Sequence, residues 1–163
     1  MFTTLTAANG TLLHAFWKGP LSNWAPRAIS IDGVRYPNGE ARIMVAKAEL
    51  FGDAATLAAM RKTSDPQKLK ALGREVAGFR QAIWDTMRPV ISRDLLLHKL
   101  AQHPDIREAV LGAPPGRFVE ASPYDGLWGV KLDVEDPRLL DPTQWQGLNY
   151  LGEDYDAVVK ILR

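Results

Sequence analysis

Glu40 and Lys47 stand seven residues apart in YPNGEARIMVAKAELFGD, Tyr36 to Asp53, a stretch that reads as a helix apolar nearly all the way round. Seven residues make almost two turns, so the pair shares one face about 10 Å apart along the axis, with Ile43 and Met44 between them. If buried, an acid and a base there need partners or shifted pKa values, and such arrangements concentrate where protons are moved, charge is stabilised or a nucleophile is made. Arg42 and Glu49 repeat the spacing on another face. Periodicity therefore leaves open which stripe meets solvent, and the plainer alternative is a partly exposed helix whose charged side chains snorkel to water.

Two further stretches gather polar and aromatic groups. In FVEASPYDGLWGV, Phe118 to Val130, strand alternation puts Phe118 and Glu120 on one face and Val119 and Ala121 on the other, before Pro123 interrupts the ladder. A carboxylate thus leads into a loop bearing Ser122, Asp125 and Trp128. Asp125-Gly126 also reads as an ordinary turn and Trp128 as core, while its rings equally offer a stacking surface for a base or a sugar. FWKGPLSNWAP crowds Phe16, Gly19, Ser22, Asn23 and Trp24 into a Gly-Pro loop. Small hydrogen-bonding residues beside aromatics suit a nucleotide-like ligand, and also a plain turn.

Other chemistries find less footing. RKTSDPQKLKALGR sets five cations, Arg61, Lys62, Lys68, Lys70 and Arg74, against Asp65. Such a run is usually a solvated helix face, but it can draw phosphate or nucleic acid, Arg74 above all. Neither of the familiar glycine-rich phosphate loops is present. His14, His98 and His103 lack the spacing of a metal pair on one helical face, and there is no cysteine, so no metal site is expected. Nothing marks a nucleophilic serine.

The elements that would position these groups read as strands, then helices, then short strands. ISIDGVRYP suits a hairpin turning at Asp32-Gly33, after a strand over TLLHAFW. Asp53, Asp65-Pro66 and Pro104-Asp105 read as helix starts. Val76, Phe79, Ile83, Met87, Ile91 and Leu95 recur every three to four residues, predicting a core-facing helical stripe that Pro89 kinks or divides. RFVEASP and WGVKLDV read as strands, and DYDAVVKILR as a closing helix. The expected fold is α+β, predominantly α, in one domain over residues 1–163. A net charge of +1 provides no global field for nucleic acid or membrane, so an anionic ligand must be held locally. The absence of cysteine, of a long apolar run and of a signal-like start at Met1 to Gly10 sets the expectation of a cytoplasmic protein with no membrane partner.

Taken in order, FWKGPLSNW, Glu40 seven residues before KAELFGD, DPQKLKALGREVAGFRQAIW, FVEASPYDGLWGVKL and WQGLNYLG resemble the NADAR or YbiA-like family, from about His14 to Leu162. After Glu40, where members often carry Gln or His and then an aromatic, this chain has Ala41 and Arg42. The resemblance implies a mostly helical domain with a small β portion that cleaves N-glycosidic bonds without a cofactor. Two substrate classes go with the family: ADP-ribose joined to guanine in DNA or RNA, whose removal counters an ADP-ribosyltransferase toxin as functional partner, and early ribosylamino-pyrimidine intermediates of riboflavin synthesis. A noncatalytic module binding ADP-ribose or NAD is the alternative. The implied catalytic set is Glu40, Lys47 and Asp125. Glu40 would stabilise positive charge at ribose C1, and Glu40 or Asp125 would protonate the departing amine. Lys47 would act by charge or, as a free amine, as a Schiff-base nucleophile on the opened ribose. Trp24, Trp84 and Trp128 would stack and Ser22 and Asn23 hydrogen-bond, with Phe16, Gly19, Arg74, Glu120 and Ser122 completing the substrate-binding set.

Overall fold

The computed structural model describes residues 1–163. Contacts gather into two compact units, one made of residues 1–22 and 100–163, the other of residues 23–99. The architecture is α+β and mainly helical, as expected from the sequence. No helix is long and apolar enough to cross a membrane.

In the first unit, β1 (Thr3–Thr6) pairs antiparallel with β2 (Leu12–Phe16), and β2 pairs parallel with β5 (Arg117–Glu120). Alternation sorts the side chains as the strand pattern requires. Leu13, Ala15, Val119 and Ala121 pack on one face against Val130, Leu132 and Leu139. On the other, Phe16 and Phe118 meet the ring of Tyr155, with centroids 5.7 and 5.6 Å away. Tyr155 belongs to α6 (Tyr150–Leu162), is fully buried, and donates its hydroxyl proton to the Leu21 carbonyl at 2.9 Å. The helix α5 (Pro104–Gly112) starts on proline as predicted. WGVKLDV is not a strand. Val130 and Leu132 are buried as strand residues would be, but Lys131 between them sits at φ 58, which turns the chain out of an extended path.

The outer edge of β5 has no strand beside it and is covered mainly by side chains, with the Val130 N–H donating to the Glu120 carbonyl at 3.0 Å. Asn149, itself buried, accepts from the Glu120 N–H at 3.0 Å and donates to the Phe118 carbonyl at 2.9 Å. The Asp156 carboxylate accepts from the Phe118 N–H at 2.8 Å. The close approach requires Gly152, where a Cβ would collide with the Phe118 carbonyl oxygen.

In the second unit, β3 (Ile29–Ile31) and β4 (Val34–Tyr36) form the predicted hairpin. Asp32 and Gly33 both have positive φ, 50 and 79, the signature of a type I′ turn. The helix α1 (Gly39–Leu50) is capped by Asn38, whose side-chain oxygen accepts from the Ala41 N–H at 2.9 Å. Asp53 caps α2 (Ala54–Met60), and Asp65 caps α3 (Pro66–Arg74), with Pro66 in its first turn. The predicted long stripe is broken. α3 stops at Arg74 and α4 (Gln81–Gln102) begins only after Gly78, at φ 70, so Val76 and Phe79 lie in an irregular bridge. Pro89 neither ends nor divides α4, which runs through it. One lost backbone hydrogen bond is outweighed there by burial of Trp84, Ile91, Leu95 and Leu96 along the same helix.

Two outcomes test the seam between β5 and α6. Gly152→Ala should destabilise by about 1–3 kcal/mol in urea unfolding, because backbone has to move. Gly112→Ala, which faces open space late in α5, should be neutral or mildly stabilising. Burial pushes the Asp156 carboxyl up to about 6, against the pull of the Phe118 N–H and of Arg117. The folded chain therefore holds a proton that the unfolded chain releases earlier, so this contribution to stability is full in acid and is lost as pH rises through 6. Asp156→Asn keeps an acceptor for Phe118 and should remove a loss of about 1–2 kcal/mol between pH 4 and 7. An unchanged difference in urea midpoints across that range would contradict the assignment.

Candidate active site

Lys47 projects from the last turn of α1 into an aromatic corner. Its Nζ donates to the Gly73 carbonyl at 2.6 Å and lies 4.2 Å from the centre of the Phe79 ring and 5.4 Å from that of Trp84. Gly73 stands near the C-terminal end of α3, where carbonyls lack helical partners and the helix dipole favours a cation. Burial nonetheless lowers the pKa of the amine, and no carboxylate opposes it. Gly73 has to be small, because a Cβ there would strike Met44 Sδ, one turn before Lys47.

Phe79 reaches the amine because the bridge between α3 and α4 is pinned. The Asp53 carboxylate accepts with one oxygen from the Thr56 N–H, capping α2 at 3.0 Å, and with the other from the Ala77 N–H at 2.8 Å. The Thr56 hydroxyl foremost, then the Ala77 and Thr56 N–H groups, lower its pKa to about 2. Phe79 then meets Phe51 edge-on, with ring centroids 5.3 Å apart. At 38% exposure it is a cover with one side in water, whereas Trp84 at 9% is a wall.

Glu40 occupies the first turn of α1 and is 3% exposed. Its N–H donates to the Asn23 carbonyl at 2.9 Å, and the positive end of the helix favours its carboxylate. Of the two stripes on α1, the Arg42 and Glu49 one carries ion pairs: the largely buried Arg42 to Asp94 at 3.3 Å, and Glu49 to Arg61 at 3.4 Å between exposed side chains. Asn23 is buried beside the start of α1, and its Oδ1 has no hydrogen-bond partner. Gly39 permits this, since a Cβ there would lie 2.7 Å from that oxygen. A buried acceptor left unpaired costs about 1–3 kcal/mol, a cost that a ligand's N–H or O–H would relieve. Trp24 is 43% exposed, with Lys70 Nζ 5.8 Å from its ring centre, and Arg74 is exposed. Glu40, Lys47, Asn23, Trp24, Trp84 and Arg74 all belong to the second unit.

The remaining predicted residues belong to the first unit. Phe16 is 2% exposed and packs on Tyr155, in the core. Gly19 holds a loop at φ 68, and Ser22 is buried just after it. Glu120 and Ser122 are buried at the end of β5. Asp125 shapes its loop, accepting at 2.9 Å from both the Leu127 and Trp128 N–H groups, and Trp128 stands edge-on to Tyr150. Sequence reasoning missed Gly73 and Phe79 as parts of the lysine's surroundings and Asp53 as the residue that pins them. The Ala77-Gly78 pair inside a helical pattern was the available signal of a break.

The lysine environment can be tested without a substrate. In an NMR titration of the lysine side chains, Phe79→Ala should move the Lys47 pKa up toward its ordinary value. Asp53→Ala, which does not touch the amine, should move it in the same direction by releasing the bridge. A Lys47 pKa unmoved in both variants would show that neither residue sets its surroundings.

The model of the NADAR domain matches residues 13–163. Protein irg-1 of Caenorhabditis elegans is 32% identical over 77% of this chain, which spans only 60% of the length of that protein. An N-glycosidase of Acanthamoeba polyphaga mimivirus is 34% identical over 72% of this chain and 69% of its own. An N-glycosidase of Nostoc punctiforme is 29% identical over 89% and 86%. The solution structure of the E. coli protein YbiA superposes with a TM-score of 0.72 at 24% identity, covering 92% of this chain and 84% of that one, which shows the shared fold. With nearly its whole length matched, the chain belongs to the NADAR domain family.

Proposed function

We propose that the chain is a hydrolase of N-glycosidic bonds between ribose C1 and an amine, and that its substrate is ADP-ribose joined to guanine in nucleic acid. The observation that carries this reading is the half-buried amine of Lys47 beside Phe79 and Trp84, on the same helix as the buried acid Glu40. Relatives named N-glycosidases over much of the chain support the reaction class. Flat rings beside a positioned amine support a nucleotide-like substrate, and the cations Lys70 and Arg74 support a phosphorylated one. The adduct would be made by an ADP-ribosyltransferase acting on nucleic acid, and its removal would take place in the cytoplasm.

The chemistry follows from the groups present. As the C1–N bond breaks, its electron pair leaves with the guanine amine, which takes a proton, and positive charge grows on the ribose ring. Glu40 would answer that charge or supply that proton. A desolvated Lys47 spends more time as the neutral amine. One of its N–H groups is held by the Gly73 carbonyl, and its lone pair remains available to attack C1 of the opened ribose. In the opened ribose C1 is joined to the guanine amine as an imine, so attack displaces that amine with its proton and leaves an imine to Lys47, and water adding to C1 releases the sugar and restores the amine.

Glu40→Gln should lower kcat for release of ADP-ribose from an ADP-ribosylated guanine oligonucleotide by about 10²-fold or more, with binding little changed. Borohydride added during turnover should attach the ribosyl product to Lys47, and Lys47→Arg should abolish both turnover and trapping. Robust turnover by Lys47→Arg with nothing trapped in the parent would sink the covalent role. Cleavage of ribosylamino-pyrimidines alone would sink the substrate assignment, and tight binding of ADP-ribose with no turnover of either would sink the enzyme reading.

A further inference from the structure

The second unit contains a cavity that this chemistry does not use. Its volume is about 360 Å³, within the range of small-ligand sites and more than a lone inorganic anion needs. Ala41 and Val45 form one side of it. Ala41 is about 100° around α1 from Glu40, so the cavity opens on a different face of the helix from the Glu40 and Lys47 stripe.

Its chemistry divides into two parts. Val34, Pro37, Val45 and Met60, with Tyr36, give an apolar bed. Arg35, Arg61 and Lys62 surround it, and no carboxylate lines it. Arg61 is turned to Glu49 in an exposed pair of small energy. Arg35 and Lys62 are exposed and form no ion pair in the structure. The floor is preorganised: Asn38, while capping α1, donates to the Ser64 carbonyl at 2.8 Å and so ties the connection between α2 and α3 to the start of α1. The Thr63 hydroxyl oxygen accepts from the Asp65 N–H at 3.1 Å, which leaves its own proton for a ligand. A planar apolar body with an attached dianion fits this division, the guanidinium and ammonium groups taking the anion and the bed taking the plane.

We propose that this cavity binds a nucleoside phosphate, with its base on the bed of Val34, Pro37, Val45 and Met60 and its phosphate between Arg35 and Lys62. Within the nucleic-acid substrate proposed above, on which this part rests, it holds a nucleotide flanking the modified guanine. The cavity then anchors the strand while α1 presents its other face to the adduct.

The test uses the full chain, an unmodified single strand of about eight nucleotides, and guanosine monophosphate. Methyl NMR follows Val45 and Met60, and anisotropy of the labelled strand measures affinity. Both methyls should shift on adding the strand. Arg35→Gln with Lys62→Gln should weaken strand binding about tenfold at low salt and reduce the slope of log K against log salt by about 1 to 2. Arg107→Gln with Lys160→Gln, an equal charge change at exposed sites in the first unit, should do neither. Shifts produced by guanosine monophosphate as well would identify a site for nucleotides in general, and shifts from the strand alone a site for the strand. If neither ligand moves the two methyls, or both double variants bind alike, the proposal falls. It falls also if a glutamate-rich peptide shifts the same methyls as tightly as the strand does. Strand binding needs no turnover, so a chain that binds in the cavity but releases no ADP-ribose defeats the catalytic reading alone, and one that hydrolyses the adduct without binding there defeats this one alone.

Discussion

One side chain does much of the work of a missing strand. β5 has a single strand neighbour, β2, and on its other edge the Asn149 amide accepts from the Glu120 N–H and donates to the Phe118 carbonyl, as a neighbouring peptide group would. Without it, two buried backbone groups would each cost about 1–3 kcal/mol. The conformation it needs is left-handed, at φ 54, which asparagine tolerates better than most residues. Because the amide sits at the entry to α6, the same residue joins strand to helix, and the exposed edge that would invite another chain is closed. Phe118, Glu120 and the loop after them take their positions from that joint.

The second unit is organised around a different problem, partly sheltering an amine from water without a counter-charge. The solution is dipolar and aromatic. A helix-end carbonyl takes one hydrogen bond, two ring faces supply the rest of the surroundings, and an aspartate capping a neighbouring helix holds the segment that carries one of the rings. A carboxylate in place of the Gly73 carbonyl would hold the ammonium form. With neutral partners the amine keeps its position while burial weakens its hold on the proton.

Much of this was legible in the chain, for reasons that differ by element. The hairpin at Asp32-Gly33 and the starts at Asp53, Pro66 and Pro104 rest on local backbone preferences, which act within a few residues. Glu40 and Lys47 were visible as a pair because helical spacing is regular. What periodicity misread was context. Val76 and Phe79 keep the spacing of a helix they do not belong to, since Gly78 at positive φ breaks it, and Pro89 sits within a helix that burial sustains. Lys131 likewise hides one left-handed residue inside an alternating pattern. The Gly73 carbonyl has no side-chain signature at all. A backbone group becomes part of a site only through the fold that aims it.

The division of the chain into residues 23–99 and the segments on either side bears on how it is made. The inner unit is continuous, so every partner it needs has been synthesised once Lys99 has been added. In the outer unit, β2 must find β5 a hundred residues later, at the register that pairs Leu13 with Arg117. Long-range parallel pairing is slow, and a ribosome adds only about 5–20 residues each second. For several seconds the early strands wait while the inner unit closes. During that interval β2 has β1 on one side only, so the newly made chain passes through a stage in which its central strand is an open edge.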